Sequence, residues 1–289
     1  MTNFRRYFRI LLVFTAIGII SLTIYFGRRP LRSELFIEAI HPGVDYYRNS
    51  NNQPYRTVYH LLEIDLTTPG LQIVGSTPEA GPEYAAQTVR DFAEAHGTQI
   101  AINANFFYPF RADAPWDYYP RSGEFVQVDG IAINDGVAYS RIRADRPALC
   151  MSAEPLAEIH RSGRCPSGTV MAIAGNLQTL RDGKQIEFSE ENRLPRTVVG
   201  TNEAGDRLWI LVVDGRQPLY SAGATHFYTS KLLKSAGATD VLNLDGGGSA
   251  TLIIEEGGVQ QLFNAPYHTR IVMRERPVAN HLGVQIPNQ

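Results

Sequence analysis

Two carboxylates in this chain each close an apolar run and stand directly before glycine. Asp245 follows Val241, Leu242 and Leu244 and precedes Gly246, Gly247, Gly248 and Ser249, while Asp214 follows the run Leu208–Val213 and precedes Gly215 and Arg216. Short apolar runs closed by glycine read as buried strands. A carboxylate at such a strand end projects into a cleft, where it can act as a nucleophile or a base. Three successive glycines lose more backbone entropy on ordering than any other residues. They suit a sharp turn, or a place where another group must come close to the backbone. Their N–H groups can also form a concave anion-binding nest. A plain turn between two strands explains the glycines equally well, and both readings stand at this point.

The elements that must position these groups follow from periodicity. Leu208–Val213 is the most hydrophobic run in the domain and reads as a central strand. A helix over about Thr225–Ser235, with Thr225 as N-cap and Gly237 just past its end, leads into the strand that carries Asp245. An earlier helix is expected over about Ala85–His96, closed by Gly97, and a short strand then runs into Asn103-Ala104-Asn105. Asn is a poor strand residue and a good local hydrogen-bonder, so this pair marks a site or a turn. Val58–Leu66, turned by Pro69-Gly70 into Leu71–Val74, reads as a hairpin, and Asp129-Gly130 and Asp135-Gly136 read as hairpin turns. Residues 108–123 form a long irregular segment with Trp116, Tyr118 and Tyr119 among Arg and Asp. Such a loop either stacks on sugar rings or pins itself over the core. The fold class these elements predict is α+β: mixed, largely antiparallel sheets with a few packed helices. It forms a single domain over residues 34–289, behind a signal anchor and linker at 1–33.

Composition narrows the partners. The chain has 289 residues, 44% of them hydrophobic and 19% charged, with a net charge of −2. That is globular, and it gives no electrostatic footprint for nucleic acid. Arg5, Arg6 and Arg9 precede an uncharged stretch from Ile10 to Phe26. As a helix this stretch spans roughly 25 Å, between a cleavable signal core and a full membrane span. The bulky, basic residues after it favour an uncleaved anchor in the membrane, with a cleaved, secreted form as the alternative. Cys150 and Cys165 enclose a short polar loop, and either two free thiols or a disulfide fits them. A disulfide and export support one another, so the domain is expected outside the cytoplasm, periplasmic or extracellular. Neither cysteine has ligand-spaced partners for zinc. Walker, dinucleotide and Gly-x-Ser-x-Gly fingerprints are all missing from the sequence, and no cofactor or metal is expected.

Six pieces occur in a telling order: Ala101–Phe107, Pro195–Gly200, Val212–Arg216, Ser221–Thr225, Leu242–Leu252 and Arg276–Val284. Together they resemble the phosphodiester glycosidase family. The 108–123 loop and the Cys150–Cys165 segment depart from that pattern. The resemblance implies hydrolysis of a sugar–phosphate diester at the anomeric carbon, on envelope or exopolysaccharide material. A glycosidase passes through an oxocarbenium-like transition state served by carboxylates, and Asp245, Asp214 and Arg196 are the catalytic candidates. Arg216 and the Gly246, Gly247, Gly248 and Ser249 segment would hold the phosphate. Asn103 and Thr225 would hold sugar hydroxyls or phosphate, and Trp116 would stack on the sugar. A non-catalytic protein using the same pocket for glycan binding or polysaccharide assembly remains the alternative.

Overall fold

A computed structural model of the chain describes residues 2–27, 29, 35–53, 55–77, 83–187 and 192–286. Most of the expected linker at 27–34 lies outside these residues. The chain separates into two units, residues 1–31 and 32–289. The first is helix α1, Thr2–Gly27. Its segment Arg6–Thr23 is fully exposed, and the helix is long and apolar enough to cross a membrane. The hydroxyls of Thr15 and Thr23 donate to the carbonyls of Leu11 and Ile19 four residues earlier, at 2.9 and 2.8 Å. An apolar medium would therefore meet no unsatisfied hydroxyl at either position.

The second unit is built from antiparallel sheets. The largest has eight strands in the order Leu35–His41, Val44–Asn51, Thr57–Asp65, Arg207–Val213, Arg196–Thr201, Asp240–Asn243, Leu177–Arg181 and Lys184–Gln185. Residues alternate between its two faces, as the strand period demands. Val198, Trp209, Leu211, Val213 and Val241 pack beneath helix α3, His226–Ala236. Val199, Leu208, Ile210, Val212 and Leu242 share the main core with Ile100, Ile102, Leu252, Leu282 and Val284 of a second sheet. That five-stranded sheet runs Val259–Leu262, Leu252–Glu256, Ile100–Asn103, His281–Gln285 and Gln72–Gly75. Helix α2, Val89–His96, covers its far side through Val89, Phe92 and Ala93. The order of layers is helix, sheet, sheet, helix, which is the expected α+β class.

Three local expectations change. Helix α2 starts at Val89 rather than Ala85, because Thr88 and Asp91 form a reciprocal capping box that fixes its first turn. Thr57–Asp65 is flanked by strands on both sides, so it has no free edge for a hairpin with Gln72–Gly75. The Pro69-Gly70 turn instead carries the chain to the other sheet, where Gln72–Gly75 pairs with His281–Gln285. Asp135-Gly136 does turn a hairpin, with φ of 49° and 74°. Asp129-Gly130 does not, since Asp129 is held by Arg143 and Arg146, each at 2.8 Å. Cys150 and Cys165 form a disulfide.

Candidate active site

The strand Arg196–Thr201 lies between Arg207–Val213 and Asp240–Asn243 and runs antiparallel to both. Arg196 pairs with Val213, and Val198 pairs with Asn243. Asp214 and Asp245 therefore emerge at the same end of the sheet, on either side of Arg196. Only one of them reaches open space. A cavity of about 560 Å³ is lined by Asp245, Gly246–Gly248, Arg196, Arg216, Arg276, Asn176, Asn243 and the ring of Phe110, among others. Asp245 is its sole carboxylate among the described lining residues, facing three guanidinium groups.

Asp245 is held from behind. Its backbone carbonyl accepts from the Asn103 side-chain amide at 2.6 Å. Asn103 is itself fixed through its Oδ1, which accepts from Thr197 Oγ1 at 2.8 Å. The Asp245 carboxylate accepts from Ser249 Oγ at 2.5 Å, and Ser249 Oγ accepts from Arg276 Nη1 at 3.0 Å. Burial pushes the pKa of Asp245 above the usual carboxylate range; Arg276, Ser249, the Gly246 N–H and Arg216 oppose the shift. Arg276 is held down to about 10, chiefly by burial, and stays cationic at neutral pH. Its Nε donates to His268 Nδ1 at 3.2 Å, and its guanidinium lies 4.2 Å from the centre of the Phe110 ring. His268, pushed down to about 3 by burial and by Arg276 and Arg274, remains a neutral acceptor. Arg196 is braced by the carbonyls of Ala224 and Asn192 and by His226 Nε2.

The glycines serve the arginines. A Cβ on Gly248 would stand 2.4 Å from Arg276 Nη2, and one on Gly247 3.1 Å from Arg216 Nη2. Gly247 also holds φ of +59°, in the left-handed region. Of the expected nest, the Gly246 N–H faces the Asp245 carboxylate and the Gly247 N–H donates to Pro195 O at 2.8 Å. The turn admits two guanidinium groups against bare backbone, and these supply the positive charge of the cavity.

The other expected residues lie elsewhere. Asp214 is 1% exposed and does not line the cavity. Its Oδ1 accepts from Ala265 N at 2.7 Å and Asn264 Nδ2 at 3.1 Å, and its Oδ2 from Tyr220 Oη at 3.3 Å, with His60 Nε2 at 3.4 Å. Asn103 is wholly buried behind Asp245. Ser249 is buried too and meets the ligand space only through Asp245 and Arg276. Thr225 caps α3 by accepting from Tyr228 N at 3.1 Å. Trp116 is 77% exposed, and its loop reaches the cavity through Phe110 and Ala112 instead. Arg276 and Phe110 escaped the sequence reading. The one signal for Arg276 was its place beside Pro277 at the head of the last family-like piece.

A single buried carboxylate set among three arginines at the end of an antiparallel sheet is an arrangement suited to an anionic ligand. The model of the phosphodiester glycosidase family matches residues 96–285, and the chain belongs to that family. No curated protein matches it. Among solved structures, a hypothetical protein from Synechocystis superposes with a TM-score of 0.65 at 13% identity, covering 89% of this chain. The chain spans 64% of that protein's length. The catalytic domain of zebrafish N-acetylglucosamine-1-phosphodiester α-N-acetylglucosaminidase, autoinhibited by its pro-peptide, superposes at 0.60 with 17% identity, covering 90% of this chain and 92% of that one. A Burkholderia pseudomallei protein superposes at 0.57 with 14% identity, covering 80% and 74%. At such identities these likenesses establish the fold.

Proposed function

We propose that this protein hydrolyses a glycosyl phosphodiester at the anomeric carbon, on envelope or exopolysaccharide material. The observation that carries the reading is the cavity: one carboxylate, Asp245, opposite Arg196, Arg216 and Arg276. The bond broken joins the anomeric carbon to a phosphate oxygen. Water supplies the hydroxyl to the sugar, and the phosphate leaves as a monoester. A phosphomonoester has a second pKa of about 6, so it departs at neutral pH without being protonated. One carboxylate acting on the anomeric carbon, as nucleophile or as base toward water, is then sufficient. A glycosidase with an alcohol leaving group needs two. Arg216 and Arg276 hold the phosphate and stabilise the charge that develops on it, and Arg196 borders the same space. Helix α1 and the Cys150–Cys165 disulfide support an anchored protein whose domain lies outside the cytoplasm, since disulfides persist in oxidising compartments.

The test is turnover by the full chain in phosphatidylcholine nanodiscs against a panel of sugar-1-phosphodiesters. Release of free sugar and a phosphomonoester is the expected result. Saturable binding of these diesters without release of either product would instead establish the non-catalytic glycan-binding reading.

A further inference from the structure

A second concave site lies beside the first. It encloses about 470 Å³ and is walled by the aromatic residues Tyr55 and Phe227 and the cations Arg193 and Lys231. Tyr55 and Phe227 are 49% and 51% exposed. The Arg193 guanidinium stacks over the Tyr55 ring at 3.4 Å from its centre, so the ring and the charge are presented together. The side-chain amides of Asn51 and Gln53 complete the rim. No carboxylate occurs among the described lining residues. Aromatic faces with amides suit sugar rings and their hydroxyls, and two cations, with no carboxylate beside them among the described lining residues, add a demand for negative charge.

The position of this pocket relative to the cavity matters. Arg193 lines the pocket, while the next residue, Leu194, lines the cavity. Leu194 and Ala224 exchange backbone hydrogen bonds at 3.0 and 3.2 Å. Ala224 lines the pocket, and its carbonyl accepts from Arg196 of the cavity at 3.2 Å. The partition is thus one pair of chain segments, about 5 Å across, comparable to one sugar residue.

We propose that this pocket is a second binding site, for an acidic sugar residue such as a uronate within an oligosaccharide. The site holds one unit of a charged glycan while the cavity holds another. Binding here is a claim separate from hydrolysis, and its test involves no turnover.

The experiment is calorimetric titration of the full chain in phosphatidylcholine nanodiscs with trigalacturonate and, separately, with maltotriose. Trigalacturonate is expected to bind at least about tenfold more tightly, the range that a surface charge and a stacked ring supply together. Phe227→Ala and Lys231→Met, both on exposed side chains, are each expected to weaken trigalacturonate several-fold with melting temperature unchanged. Arg276→Met, which removes a cation of the cavity, is expected to weaken trigalacturonate less than either pocket variant does. Loss with Arg276→Met but not with the pocket variants would assign the acidic sugar to the cavity and overturn the proposal. So would equal affinity for maltotriose, or no binding of trigalacturonate.

Discussion

Asp214 and Asp245 leave the same end of one sheet, on either side of the strand that begins with Arg196, and reach opposite surroundings. Tyr220 from the turn after Asp214, and Asn264 and Ala265 from a segment about 50 residues further on, close over the carboxylate and occupy both its oxygens. The chain after Asp245 turns on three glycines, which leave room for Arg276 and Arg216 but cover nothing. The first carboxylate spends its hydrogen-bonding capacity on Ala265, Asn264, Tyr220 and His60. The second keeps a face toward open space and a charge whose balance is delicate. Position at a strand end is therefore not enough to make a carboxylate reactive. What the rest of the fold brings over it decides.

Substitutions at the two positions should separate along that line. Asp245→Asn is nearly isosteric, so folding survives, and kcat should fall about 10²-fold or more, the range for a group acting in the transition state. Near-normal turnover in a folded Asp245→Asn protein would remove it from the mechanism. Crowding Arg276 through Gly248→Ala should cost next most. The new methyl displaces a guanidinium, and kcat/KM for a diester should drop by about tenfold, as for a lost charge-assisted hydrogen bond. Circular dichroism would check that the turn is kept. Asp214→Asn should do the reverse. Replacing an oxygen by an amide nitrogen leaves buried donors facing a donor, at about 1–3 kcal/mol of stability. Denaturant midpoints would show this, with turnover per folded molecule little changed.

The pH dependence sharpens the contrast further. Asp245 must be ionised to act, and burial raises its pKa. Activity should thus fall with acidification at a pH above the usual carboxylate value of about 3.9, and Arg276→Met should move that limb higher still. Stability should follow a different group. His281 is held down to about 3 by burial, with Nε2 donating to Gln87 O and Nδ1 accepting from Ser76 Oγ. Its contribution is complete above the unfolded value of about 6.5 and is lost as pH falls toward 3, at up to about 1.4 kcal/mol per unit. Melting temperature against pH for wild type and His281→Asn would show the acid slope flatten in the variant, while the activity limb stays with Asp245.

Much of the frame was legible because it rests on local rules. The apolar run Leu208–Val213 announced a central strand, and Thr225 with Gly237 bracketed α3 to within a residue. Asp245 is marked by its strand end and glycines, and Arg196 and Arg216, which line the same cavity, are named through the family resemblance. The partners of each side chain were not legible. Asn103 looked like a ligand-binding amide because its actual acceptor, the Asp245 carbonyl, lies 142 residues away in sequence. Trp116 looked like a stacking platform, and Phe110 of the same loop takes the place against Arg276. Nothing in local pattern tells which aromatic of a loop turns inward. The triple glycine reads equally as an N–H nest and as a place where another group meets bare backbone. Its missing side chains turned out to matter more, and that depends on where distant arginines arrive.

The pairing of Arg196 with Val213, and of Val198 with Asn243, gives this sheet a further property. Along a strand each residue advances about 3.3 Å and switches face, so register acts as a ruler that sets the arginine against both carboxylates at once. Val198 and Val199, next along the strand from Arg196 and Thr197, hold that ruler by filling opposite cores. A lesion that loosens either core would shift the alignment of catalyst and charge before it unfolded the sheet. Its first symptom would be an enzyme with the right groups at the wrong spacing.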